Sequence, residues 1–168
     1  FLLSRCYGPI IVVRQTPDPM LLPENYQGQE PYDDCVNFIC EKFDEAAKGL
    51  PATRTGAQAN EFGLATSVAA KAMKAKMLLY AASPLFNGNS EFYSNFKDKN
   101  GNALMPLTYD ATKWQRAADA FKEAIAAAES AGYHLYDRGD CKLNKNGYPA
   151  DPHVRALRYT ITDYSAED

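Results

Sequence analysis

Asn87, Asn89, Phe92, Tyr93 and Asn95 place two aromatic rings among three amides within one short stretch. That combination suits a carbohydrate. Sugar rings present apolar C–H faces edged by hydroxyls, so a surface that holds them needs aromatic platforms flanked by hydrogen-bonding groups. These five residues are the candidate ligand contacts. The same rings would also tuck their loop onto neighbouring helices, which is the commoner role for large aromatics. Tyr133 and Tyr136 flank Leu135 in an extended stretch, and packing is the expected role there too.

Other chemistries find less support. Asp98-x-Asn100-Gly101-Asn102 has the flavour of a calcium loop, but its glycine is misplaced and no Glu closes it at the twelfth position. A hairpin tip at Asn100-Gly101 accounts for it, and Asn146-Gly147 is a second such turn. His134 and His153 are isolated, so no metal pair or catalytic dyad follows. The phosphate-loop, dinucleotide and nucleophile-elbow patterns are missing from the sequence. Carboxylates are plentiful, but a glycosidase pair is defined by a cleft geometry that sequence does not carry. The four cysteines, Cys6, Cys35, Cys40 and Cys141, include no Cys-x-x-Cys. Cys35 and Cys40 lie on different sides of one helix, so buried free thiols are expected. No metal site and no cofactor is expected.

The chain of 168 residues carries a formal net charge of -3, with 46% apolar and 23% charged residues. This composition excludes a disordered tail and a strongly basic nucleic-acid binder. No apolar run approaches the roughly 20 residues of a membrane span.

Three helices are legible. One runs from about Tyr32 to Lys48, with Pro31 suited to the first helical position. Its stripe is Val36, Ile39, Cys40, Phe43 and Ala47, and Gly49-Leu50-Pro51 stops it. The next runs from about Ser67 to Ala82, capped by Thr66 and ended by Pro84. It is rich in alanine, which lets neighbouring helices approach closely, and Met73, Leu79 and Tyr80 are its expected knobs. The last opens at Thr112-x-x-Gln115, which has capping-box spacing, and closes at Gly132. Its expected stripe is Trp114, Ala117, Ala118, Phe121, Ala124, Ile125 and Ala128, which places Trp114 in the core. Before them, Phe1 to Tyr7 reads as the last turns of an apolar helix stopped at Gly8-Pro9. There is no initiator Met and no signal-peptide pattern, and the expectation is of a piece lacking residues at both ends.

A faint repeat links these elements. Phe43-x-Glu45-Ala46 recurs as Phe121-x-Glu123-Ala124, and Tyr7 and Tyr80 each close a helix that ends near a proline. The implied unit is helix, long loop, helix, and an array of such pairs is an α-solenoid. The connections, from Gly8 to Pro31 and from Ala82 to Thr112, exceed the roughly 15 residues beyond which loops are usually functional. The first contains a short strand or extended segment, Pro9-Ile10-Ile11-Val12-Val13. The expected fold class is therefore all-α: a tetratricopeptide-like α-α superhelix with long inter-helix loops and short hairpins.

These segments resemble the SusD/RagB family of outer-membrane nutrient-binding lipoproteins. The resemblance is carried by Tyr7-Gly8-Pro9-Ile10-Ile11-Val12-Val13, by the helix end at Gly49-Leu50-Pro51, and above all by the run from Lys74 through Tyr80-Ala81-Ala82-Ser83-Pro84-Leu85-Phe86-Asn87. Trp114-x-x-Ala117-Ala118 and Gly132-Tyr133-His134-Leu135-Tyr136 fit as well. Lys76 is a departure, since the family more often has Arg there, which loses a bidentate donor but keeps the charge. The resemblance covers most of residues 1–140, and implies that residues 1–168 are part of one SusD-like helical domain. It implies a surface-exposed glycan-binding subunit (peptide cargo less often) at the cell outer membrane of Bacteroidetes-like bacteria. Such a subunit delivers its cargo to a SusC-type TonB-dependent transporter and catalyses no reaction. The family's lipid-bearing N-terminal Cys is not matched here, so a lipid anchor follows from the family alone. Nucleic acid is not an expected partner. A tetratricopeptide-type protein–protein adaptor is the alternative, although adaptors join their paired helices by short turns. A glycan-active enzyme is the third reading.

Overall fold

The computed structural model describes residues 1–54, 61, 63–135 and 150–162. Its helices are α1 (Leu2–Tyr7), α2 (Tyr32–Gly49), α3 (Ser67–Ala82), α4 (Ser90–Tyr93), α5 (Thr112–Ser130) and α6 (Pro152–Thr162), with a 3-10 turn at Pro23–Asn25. Among the described residues there is no sheet, only one antiparallel bridge between Lys97 and Ala103. The fold is all-α. The turn at Asn146-Gly147, Tyr136 and Cys141 lie outside the described residues.

α3 is the central helix, packed against α2 on one side and α5 on the other. Alanine makes this possible. Ala70, Ala75, Ala81 and Ala82 are buried on α3, and Ala117, Ala120 and Ala124 on α5. The larger core side chains are Met77, Leu78, Val36, Ile39, Tyr32 and Phe86. Burying each aliphatic one contributes about 1.5–3 kcal/mol. Polar bonds tie the helices above this core. Lys74 holds Asp44 at 2.7 Å, Lys113 holds Asp33 at 2.6 Å, and Arg116 donates to Asn37 at 2.9 Å. Lys71 pairs with Glu123.

The helix ends follow local chemistry. The Thr66 hydroxyl accepts from the Ala69 N–H, capping α3 as its sequence predicts. α5 closes in a Schellman motif: Tyr133 N–H reaches Ala128 C=O and Gly132 N–H reaches Glu129 C=O, with Gly132 at φ 84°. α1 ends at Gly8, whose φ of 71° turns the chain, and Gly8 N–H bonds Ser4 C=O. Asp151 accepts from the N–H groups of His153 and Val154 and so caps α6.

Several expectations are corrected. Pro31 sits one residue outside α2, at its N-cap. Gly49 is the last residue of α2 without a left-handed conformation, and the chain leaves through extended Leu50 ahead of Pro51. The Thr112/Gln115 capping box does not form. Asp110 accepts from both the N–H and the hydroxyl of Thr112, and Gln115 turns to Asp119. The fully buried knobs of α3 are Met77 and Leu78; Tyr80 packs against the core as expected, while Leu79 is exposed. On α5 the covered face is Ala117, Ala120 and Ala124, so Ala118 and Ile125 are exposed and Trp114 is 40% exposed rather than core. Residues 9–13 form no strand, but they are packed, with Pro9 and Val12 buried. Cys35 and Cys40 are buried free thiols as expected, but Cys6, also free, is exposed.

Candidate functional site

The second connection leaves α3 through Ser83, whose hydroxyl donates to Tyr80 C=O at 2.7 Å. Phe86 then turns inward and stacks on Tyr32, with ring centroids 4.9 Å apart and an interplanar angle of 10°. Asn87 follows and is 3% exposed. Its Nδ2 donates to Asp110 C=O at 2.8 Å and to Ala82 C=O at 3.4 Å, and its Oδ1 accepts from Asp110 N–H at 3.0 Å. This corrects its expected role. Asn87 is not a ligand contact but a buried staple joining the end of α3 to the approach to α5. An unpaired backbone group there would be costly, which is why an amide, able to donate and accept at once, occupies the position.

Gly88 has φ 79°, and a Cβ at that position would lie 2.4 Å from the Tyr109 nitrogen. Its N–H bonds Pro106 C=O. The two arms of the loop are thus pressed together backbone to backbone. Asn89 accepts from the Phe92 N–H and caps α4, so its carbonyl oxygen is committed as well. The cap projects Phe92 outward, where it is 71% exposed. Tyr93 turns back and packs, half-buried, against the core, with its ring 6.3 Å from Phe96. Asn95 is exposed, and its side chain has no partner among the described residues. Beyond it the hairpin tip forms as expected: Asp98 accepts from the N–H groups of Asn100 and Asn102, and Gly101 takes φ 87°.

The five candidate residues therefore divide. Phe92 and Asn95 face solvent, Tyr93 packs, and Asn87 and Asn89 hold backbone. Tyr109, 57% exposed on the arm that touches Gly88, joins the exposed set and was not among the sequence candidates. Its signal was available: an aromatic just ahead of the Asp110 cap belongs to a loop and not to the stripe of α5.

Electrostatics support rigidity here more than reactivity. Hydrogen bonds from Thr112 hold the Asp110 carboxyl below the usual carboxylate range, and those from Asn102 do the same for Asp98. Burial pushes the Cys35 and Cys40 thiols and the Tyr32 phenol up. Among the described residues no cluster of His, Cys, Asp or Glu is arranged to hold a metal ion.

A groove of about 720 Å³ runs between α2 and α5 over α3. Asn37, Glu41, Asp44, Lys74, Arg116 and Asp119 are in its walls. Lys74 and Asp44 pair with each other there, and Arg116 donates to the neutral amide of Asn37.

No protein-family model matches this chain, and no curated protein matches it. Solved structures do. BT4246 shares 38% sequence identity over 93% of the chain, with a TM-score of 0.75. Selenomethionine BT4246 shares 41% identity over 88% of the chain, with a TM-score of 0.68. The chain spans 29% and 25% of the lengths of those two proteins. The helical architecture described above is thus one that a solved structure shares. No helix among the described residues is long and apolar enough to cross a membrane.

Proposed function

We propose that this chain is part of a glycan-binding subunit of the SusD/RagB type, held at the outer-membrane surface, which passes captured saccharide to a SusC-type TonB-dependent transporter. The observation that carries the reading is the setting of Phe92. A large apolar ring stands in solvent on a loop that is locked on both sides, by Asn87 to Asp110 and by Gly88 to Pro106. Exposure of this kind forgoes the usual gain from burial, and a ring so placed is free to stack on a sugar face. Asn95 and the Tyr109 hydroxyl supply the polar groups. In this role the chain needs no cofactor and performs no chemistry. Affinity comes from ring stacking and amide contacts, and the loop has little conformational freedom left to lose on binding.

Calorimetry against maltohexaose, cellohexaose, xylohexaose and a mannan oligosaccharide tests the reading. Phe92→Ala is expected to weaken binding roughly two- to tenfold, the value of one aromatic contact. Its melting temperature should stay unchanged, because the ring packs on little. Silence across all of these saccharides would count decisively against the reading. The adaptor alternative rests on the groove between α2 and α5, where an extended protein segment would lie. The Lys74–Asp44 pair and the Arg116–Asn37 bond weigh against it, because an incoming peptide must first break those contacts.

A further inference from the structure

The first connection carries a second concavity, which no sequence motif marked. It measures about 430 Å³, within the range of small-molecule pockets. Ile11, Val13, Leu21 and Tyr26 form its apolar walls, and Tyr26 is 60% exposed. Gln15, Thr16, Asn25 and Gln27 add polar groups, and Pro17 and Asp18 complete the lining. We propose that this concavity is a second saccharide subsite, in which an uncharged sugar ring stacks on Tyr26 while the amides of Gln15, Asn25 and Gln27 take its hydroxyls. The proposal rests on the glycan-binding reading above and extends it to the first connection.

Three features argue for it. The loop is fixed before any ligand arrives. Glu30 N–H bonds Ile10 C=O at 3.0 Å, the Gln29 amide donates to Pro9 C=O at 2.8 Å, and the Gln27 amide donates to Val12 C=O at 2.9 Å. Arg14, next to Val13 in the sequence, pairs with Glu30 and lies over the Phe38 ring at 5.4 Å. Next, the polar groups that face the concavity are available. Among the described residues, the side chains of Gln15 and Asn25 have no partner within the chain, and Gln27 uses only its nitrogen. Third, the chemistry selects an uncharged ligand. Asp18 is the one ionisable acid or base in the lining, and its carboxylate already accepts from Met20 N–H. Amides, a hydroxyl and a phenol ring over an aliphatic floor match a molecule with one apolar face and a hydroxyl rim.

The test is nitrogen-edited NMR on the whole chain, titrated with the same neutral oligosaccharides and with a proline-rich peptide as control. The side-chain amide signals of Gln15, Asn25 and Gln27 are expected to shift together with backbone signals of residues 11–27. Tyr26→Ala should weaken that response roughly two- to tenfold, and Tyr26→Phe, which keeps the ring, should hold it near wild type. Tyr26 is exposed, so unchanged melting of both variants checks that they fold. Shifts confined to residues 87–110, insensitive to Tyr26→Ala, overturn this subsite and leave the Phe92 surface standing. No response to any saccharide overturns both. A response at residues 11–27 to the peptide alone makes this a peptide groove and refutes the saccharide assignment.

Discussion

Gly88→Ala is the substitution that most sharply tests the account of the candidate surface. Gly88 and Gly101 share a left-handed backbone, with φ of 79° and 87°. At Gly101 an added methyl meets nothing within 4 Å, whereas at Gly88 it lies 2.4 Å from Tyr109 N, 2.6 Å from Tyr109 Cα and 2.8 Å from Thr108 C. Gly101→Ala therefore carries only the conformational term, about 1–2 kcal/mol, partly offset by a stiffer unfolded chain. Gly88→Ala must in addition push the two loop arms apart. Their separation strains the bond from Gly88 N–H to Pro106 C=O and both bonds between Asn87 and the Asp110 backbone. At about 0.5–1.5 kcal/mol for each hydrogen bond, the total destabilisation comes to roughly 3–5 kcal/mol. For a domain of this size that lowers the melting temperature by roughly 6–20 °C. Thermal and urea unfolding of both variants, with unchanged denaturant slope as the two-state check, give the comparison. Equal losses for the two alanines would refute the claim that close backbone contact organises this surface.

Asn87→Ala is expected to destabilise by about 2–3 kcal/mol in urea unfolding, because it removes a buried side chain and leaves the N–H and C=O of Asp110 without their partner. Asn87→Asp should be no better, since a carboxylate cannot donate to that carbonyl. In a Cys141→Ser background, a thiol reagent should modify Cys6 quickly and Cys35 and Cys40 slowly, because burial both covers the latter two and raises their pKa. Comparable rates at Cys35 and Cys6 would contradict the buried position of Cys35. Glu30, Asp98, Asp110 and Asp151 all titrate below their ordinary values in the folded chain. A depressed folded pKa contributes stability that is complete above the unfolded value, about 4, and fades as pH falls through the folded one. Unfolding curves should therefore show stability declining below about pH 4–5, with a shallower decline in Asp110→Asn.

Helix boundaries were readable because they are set by local chemistry. Thr66 as cap and Pro84 as terminator bracket α3 correctly, and Gly132 closes α5. Helix faces were readable in α2, where Val36, Ile39 and Cys40 are buried and Phe43 packs on the core, and only in part in α5. There Ala117, Phe121 and Ala124 lie on the expected stripe, but the apolar residues cover more than one side, so periodicity also admits Trp114, Ala118 and Ile125, which are exposed, and passes over Ala120, which is buried. Alanine hardly distinguishes the two, being small enough to be buried or exposed at little cost. Only the position of α3 decides. The candidate surface was half legible for a related reason. A loop rich in asparagine shows in the sequence, but whether an amide serves a ligand or the backbone depends on Asp110, far along the chain. Thr112 and Gln115 have capping-box spacing, yet Asp110 already held the Thr112 N–H.

Both long connections are rooted in one place. Tyr32 N–H bonds Leu104 C=O, the Tyr32 ring lies on Phe86, and the Met105 sulfur is the nearest neighbour a side chain at Gly8 would meet. The stems are thus knotted to each other and to the helices, while the tips, around residues 15–27 and 97–103, contribute almost nothing to the interior. Such a division frees the tips to diverge. Grafting a foreign tip onto either stem should leave the melting transition in place, because the frame is held elsewhere.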